Sequence, residues 1–140
     1  MDSKEISIAE WERGRREALR GLLDALGVDD IDLETDPVAF LSILDEFVAA
    51  QDYSNMDEGD WIWLHTILAA YVAQVFIVEY RAKWDLITDE RGPNYVLLVA
   101  GRDGVERAIS PMDIVYEDLR RYSPPELARI LAVAEEVGGL

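Results

Sequence analysis

The chain has 140 residues, with 29 acids against 13 bases, one histidine and no cysteine, for a formal charge of −16. That composition excludes disulfides, thiolate metal sites and cysteine nucleophiles. It also opposes binding to nucleic acid or anionic lipid, and it speeds encounter with basic proteins.

Half of the residues are hydrophobic and 30% are charged, the mixture of a folded domain. At this length one domain spanning residues 1–140 is expected, able to bury roughly 68% of its unfolded surface without a staple. The first sixty residues hold 17 acids against 5 bases and the remaining eighty hold 12 against 8, so the local charges are −12 and −4. Solubility alone would also account for such a surface. The opening segment MDSKEISIAEWERGRRE has no apolar stretch of the kind a signal peptide needs. With the lack of cysteine, this fits a cytoplasmic protein.

Ser7 and Glu10 have capping-box spacing. Ile8, Trp11, Ala18, Leu19, Leu22, Leu23 and Leu26 then recur at helical spacing until Gly27 supplies the stop. Arg13, Arg15, Arg16 and Arg20 form the one basic cluster, and Glu12 and Arg16 share a face, so a solvated stripe or a clamp on the protein's own acids is expected. The alternation Asp30, Asp32, Glu34 resembles the start of a calcium loop. Thr35 stands where the glycine is needed and Leu41 where the bidentate glutamate is needed, so a connecting loop ending in Asp36 as N-cap is the expectation.

A second helix is expected from Pro37 to about Gln51, with Phe40, Leu41, Leu44, Phe47 and Val48 on its apolar face. Residues 52–60, DYSNMDEGD, form a polar connection whose acids suit the start of the next helix. That helix, Trp61 to Val78, is apolar all round and needs cover on every side. Its 18 residues approach the lower limit of ~17–25 for a membrane span. His65 and Gln74 would then lie in hydrocarbon, with acids rather than bases leading in, so a buried core helix is expected instead.

The period next changes from 3.6 to 2. Lys83–Thr88 reads as a strand, residues 89–93 as a turn, and Tyr95–Ala100 as a strand apolar on both faces. Gly101–Gly104 carries a hairpin signal, and Val105–Ile109 completes an antiparallel meander. Helices on both sides of the sheet, or a second subunit on one side, would cover such a middle strand. Ser110 and Pro111 open a further helix, and Ser123-Pro124-Pro125-Glu126 repeats the signal before Leu127, Ile130, Leu131 and Ala134. The expected fold is therefore α+β: N-terminal helices and a long buried central helix on a three-stranded meander, followed by two C-terminal helices.

Catalytic signals are sparse. His65 is the only histidine and lies in the apolar helix, no serine has a nucleophile-elbow context, and no glycine-rich loop follows a strand to hold phosphate. No metal or cofactor pattern is present. The run Ala70-Tyr71-Val72-Ala73-Gln74-Val75, Trp84 opening a strand, the apolar strand Tyr95–Ala100 and Pro111 opening a helix together resemble small bacterial α+β domains, several of them immunity proteins of polymorphic toxin systems. Those domains often have a Gly-Glu pair in place of Ala73-Gln74. The resemblance implies a small acidic protein that blocks a toxin in the cytoplasm and brings no catalytic residues.

Three functions are open on these residues. The first is a non-enzymatic inhibitor whose Asp52, Asp57, Glu58 and Asp60, with Tyr53 and Trp61, engage a basic protein such as a toxin or nuclease. The second is a homodimeric or assembly subunit closed across its apolar surfaces. The third is a small-ligand domain with a pocket around His65, Tyr71 and Trp84.

Overall fold

The computed structural model describes residues 2–140. It is an α+β structure of five helices and one antiparallel sheet in the order β1-β2-β3. Helix α1 (Ser3–Ala25) starts five residues earlier than the Ser7 cap signal implies. Asp2 is its N-cap, accepting from the Glu5 amide at 2.8 Å. Ser7 therefore lies inside the helix, where its hydroxyl is spent on a hydrogen bond with the Tyr95 hydroxyl of β2. The helix stops as expected, with Gly27 in the left-handed region.

Pro37–Phe40 forms a single 3₁₀ turn leading into α2 (Leu41–Ala49), so the expected helix is shorter and tighter at its start. Asp36 stands at the N-cap position without a side-chain capping bond. The Pro37 carbonyl is instead held from outside, accepting from the Tyr71 hydroxyl at 2.8 Å.

Helix α3 (Glu58–Tyr80) is the organising rod. Leu64 and the whole run from Ile67 to Phe76 are buried, Gln74 included. It is the one helix among the described residues long and apolar enough to cross a membrane, and 61% of its most apolar stretch is covered by protein. The expectation of burial on every side fails at one end: Ile62 is 58% exposed and Trp63 46%. Leu64 beside them is buried, so the first turns are covered on one side only. Arg81 ends the helix in the left-handed conformation, its amide donating to the Phe76 carbonyl.

Strand β1 (Lys83–Asp89) pairs with β2 (Gly92–Ala100) from Lys83↔Leu98 to Asp89↔Gly92, so the five-residue turn expected there contracts to Glu90-Arg91. Pro93 is tolerated inside β2 because β3 (Glu106–Ile109) pairs only with Leu97–Ala100 and asks nothing of the Pro93 nitrogen. Trp84, Leu97, Val99 and Ile109 join the core, with Tyr95 half-buried on the same sheet face. Helices α1, α3 and α5 pack on that face. Val96 and Leu98 lie on the reverse face and stand outside the main core cluster.

Helix α4 (Pro111–Arg121) begins as its signal predicts, with the Ser110 hydroxyl accepting from the Asp113 amide. Helix α5 (Leu127–Gly138) does not begin at Ser123-Pro124. Its first amides are capped by acids from distant segments: Asp118 accepts from the Glu126 amide at 3.0 Å, and Asp45 from the Leu127 amide at 3.2 Å. Gly101 lets the end of α5 close on the β2–β3 turn, because a Cβ there would lie 2.9 Å from the Gly138 carbonyl oxygen. The core formed by these elements is one contiguous cluster.

Candidate partner-binding face

The acids singled out in the sequence converge on the start of α3. Asp57 is the N-cap, its Oδ1 accepting from the Asp60 amide at 2.8 Å, and Asp60 returns the bond, accepting from the Asp57 amide at 3.1 Å. This reciprocal box fits the positive end of the helix dipole. Glu58 makes no side-chain bond among the described residues and is fully free to face outward. Asp52 immediately precedes a 3₁₀ turn, Tyr53–Asn55, and accepts from the Ser54 hydroxyl and from the side-chain Nδ2 of Asn55. Those donors hold the Asp52 carboxyl below the usual carboxylate range.

None of these four acids takes part in an ion pair among the described residues. The bases that form ion pairs do so with other acids, among them Arg16 on Glu12, Arg20 on Glu34, Arg91 on Asp113 and Arg129 on Asp118. The arginine cluster of α1 thus acts partly as the expected clamp on acids, but on Glu12 and Glu34 rather than on the acids of α3.

Tyr53 and Trp61 join the same face, their rings 5.5 Å apart. The Tyr53 hydroxyl donates to the Val48 carbonyl at 2.7 Å, and burial pushes its pKa up to about 12. Two open clefts flank the first turns of α3. One, of about 340 Å³, is bordered by Asp52, Asp60 and Trp63. The other, of about 410 Å³, runs between α3 and α4 and is bordered by Trp61, Ile62, His65, Tyr116, Leu119 and Arg120. Ile62, Trp63 and Tyr116 are the contributors that sequence periodicity misses. An all-round apolar helix reads as all buried, and only the DEGD run before it hints that its first turns are partly exposed.

His65, Tyr71 and Trp84 are not brought together, which corrects the small-ligand pocket proposed around them. His65 lies at the α3–α4 cleft, where its Nε2 donates to the Met112 carbonyl at 2.7 Å. Tyr71 is completely buried and bonded to Pro37. Trp84 is 7% exposed and packs edge-on against Trp11, with ring centroids 5.7 Å apart. No group of three or more Asp, Glu or His side chains with metal-binding geometry occurs among the described residues.

Comparison with protein-family models, with characterised proteins and with solved structures finds no match to this chain. The reading of the site therefore rests on its own chemistry.

Proposed function

We propose that the chain is a non-catalytic interaction module of the α+β class, most concretely an immunity-type inhibitor that binds a basic toxin or nuclease in the cytoplasm. The observation that carries this reading is the juxtaposition at the start of α3. Carboxylates without a cationic partner stand beside apolar side chains that the fold leaves exposed. Interface hot spots combine a desolvated aromatic or aliphatic anchor with a polar rim. Here Ile62, Trp63 and Tyr116 are the anchors, and Asp52, Asp57, Glu58 and Asp60 are the rim. The carboxylates would stand in for substrate phosphates on the partner's basic surface and steer the encounter.

The test starts with partner capture from the native host, read by mass spectrometry, followed by association kinetics on the captured protein. Glu58→Lys removes the acid with no structural duty, while Asp57→Asn and Asp60→Gln neutralise charge and keep the helix-capping acceptors. A basic partner should associate more slowly with the triple variant and show a flatter salt dependence. An unchanged rate at low salt would remove this face from the mechanism.

A homodimer is the second reading, favoured by the reverse face of the sheet. Leu98 and Ile87 lie there partly exposed beside the buried Val96, opposite the face on which α1, α3 and α5 pack. Mass in solution across a dilution series separates the two, since a monomer at micromolar concentration excludes an obligate dimer.

A further inference from the structure

A cavity of about 210 Å³ lies between α1, the loop of residues 28–36 and the second half of α3. It is distinct from the acidic face. Gln74 borders it and is only 6% exposed. Its Nε2 donates to the Leu33 carbonyl at 2.8 Å, which fixes the amide orientation because a carbonyl oxygen only accepts. Gln74 Oε1 then meets no donor among the described residues and is not sealed from solvent, so it is an acceptor open to whatever occupies the cavity. Leu19, Leu23 and Ile31 supply the apolar walls. Arg16 and Arg20, one turn apart on α1, stand at the mouth.

Each of these arginines spends a single N–H on a carboxylate: Arg16 Nη1 on Glu12 at 3.0 Å and Arg20 Nη2 on Glu34 at 3.1 Å. Both pairs are solvent-exposed, so they are weak and exchangeable. A guanidinium has five N–H donors, and most of those at this mouth remain free. The cavity thus runs from an open neutral acceptor inside, through an apolar middle, to an outer end where Arg16 and Arg20 stand with Asp32 and Glu34. A cationic group at the inner end is disfavoured, because a single amide oxygen cannot offset its desolvation. A hydroxyl suits that acceptor, and a carboxylate suits the outer end. An apolar cavity of about 150 Å³ accepts a benzene ring, so this one has room for a ring with small substituents.

We propose that this cavity binds a small organic acid carrying a hydroxyl at the end remote from its carboxylate, with the size and polarity of a hydroxyaryl acid. The hydroxyl donates to Gln74 Oε1, the ring lies among Leu19, Leu23 and Ile31, and the carboxylate takes the free N–H groups of Arg16 and Arg20. Asp32 also borders the mouth, where its Oδ1 accepts from the Glu34 amide at 2.9 Å. The charges of Asp32 and of Glu34, which also borders the cavity, limit how strongly the anion is held.

The experiment is an NMR titration of the intact chain with para-hydroxyphenylacetate, with phenylacetate, which lacks the hydroxyl, and with para-cresol, which lacks the carboxylate. Concentrations run to about 10 mM, above the roughly millimolar affinity expected of ligands this small. Para-hydroxyphenylacetate should move the Gln74 side-chain amide and the Leu23 and Ile31 resonances. It should bind roughly 5- to 10-fold tighter than either analogue, the value of one hydrogen bond or one charged contact. Gln74→Met should erase its advantage over phenylacetate. Arg20→Gln, at an exposed position that leaves the core intact, should erase its advantage over para-cresol. The proposal is overturned if these resonances do not move, if the three compounds bind equally, or if both variants keep the wild-type order because the cavity holds water only.

Discussion

Asp118 should be the most costly acid to remove from this protein, although nothing in its local sequence distinguishes it from Glu117. It is 7% exposed and accepts from Arg129 Nε at 2.6 Å, Arg129 Nη2 at 2.9 Å and the Glu126 amide at 3.0 Å. Its carboxylate therefore joins α4 to the first turn of α5. Arg129 also lies over the Tyr122 ring at 3.6 Å, which fixes the guanidinium plane. Breaking a fully buried pair costs about 3–5 kcal/mol. The Arg129 side chain is 31% exposed, so a stranded guanidinium can partly rehydrate, and that component falls to roughly 1–3 kcal/mol. Loss of the acceptor for the Glu126 amide adds about 1 kcal/mol. Asp118→Ala should thus cost about 2–4 kcal/mol in urea denaturation and lower Tm by about 3–4 °C for each kcal/mol. Asp118→Asn keeps the shape and the acceptor for Glu126, and should cost roughly half as much. Glu117 is the internal control: it pairs with Arg120 and Arg121, but all three side chains are more than half exposed. Glu117→Ala should leave the urea midpoint close to that of wild type. Equal losses at positions 117 and 118 would refute the reasoning.

Three further outcomes follow from the packing and the buried tyrosines. Gly138→Ala places a Cβ 2.9 Å from Ile109 Cδ1 and 3.1 Å from Val99 Cγ1, so overpacking should cost about 1–3 kcal/mol, measured as a shifted urea midpoint with unchanged slope. The two ends of α3 should respond differently: Ile62→Gln, 58% exposed, should fall within about 0.5 kcal/mol of wild type, whereas Leu68→Ala, completely buried, should cost about 2–5 kcal/mol. Burial raises the pKa of Tyr53 to about 12 and that of Tyr71 well above its ordinary value. A raised folded-state pKa means that the stabilisation is complete below the unfolded value near pH 10 and is lost as pH climbs from there toward 12. The slowest tyrosines in a phenolate absorbance titration should therefore ionise together with the loss of circular dichroism. Ionisation of all six near pH 10 with the fold intact would count against it.

Elements whose determinants lie close together in the chain were legible in the sequence. The period change after α3, the Asp-Gly hairpin and the Ser110-Pro111 cap all have local causes, and each appears at its expected place. The boundaries that moved have competing causes, some of them far away in the chain. Ser7 loses its capping role because Asp2 offers an earlier acceptor and Tyr95 claims the hydroxyl. The first turn of α5 is capped by Asp45 and Asp118, which are 82 and 8 residues away in the chain from the amides they hold, so no spacing rule around Ser123 could locate its start. The β1–β2 turn contracts because continued pairing to Asp89↔Gly92 satisfies backbone groups that a looser turn would leave to solvent.

The acidic face was legible in part, and for a reason that bears on its use. Asp57 and Asp60 have a local structural duty, so their presence alone says nothing about a partner: a helix start attracts acids in any protein. What distinguishes this start is the disposition of the cations. Arg91, Arg107 and Arg129 each hold an acid of their own neighbourhood, and Arg16, Arg20 and Arg15 of α1 are turned toward Glu12, Glu34 and the Trp11 ring. Only three-dimensional placement reveals that this leaves the α3 cap uncompensated, and that Ile62 and Trp63 emerge one turn further on. Removing exposed apolar area from water favours association by about 25 cal/mol per Å², while unpaired surface acids favour it only toward a cation. The two terms act together only on a partner that is basic around an apolar contact. A neutral apolar surface would leave the carboxylates desolvated without compensation, and a purely basic one would leave Ile62 and Trp63 in water.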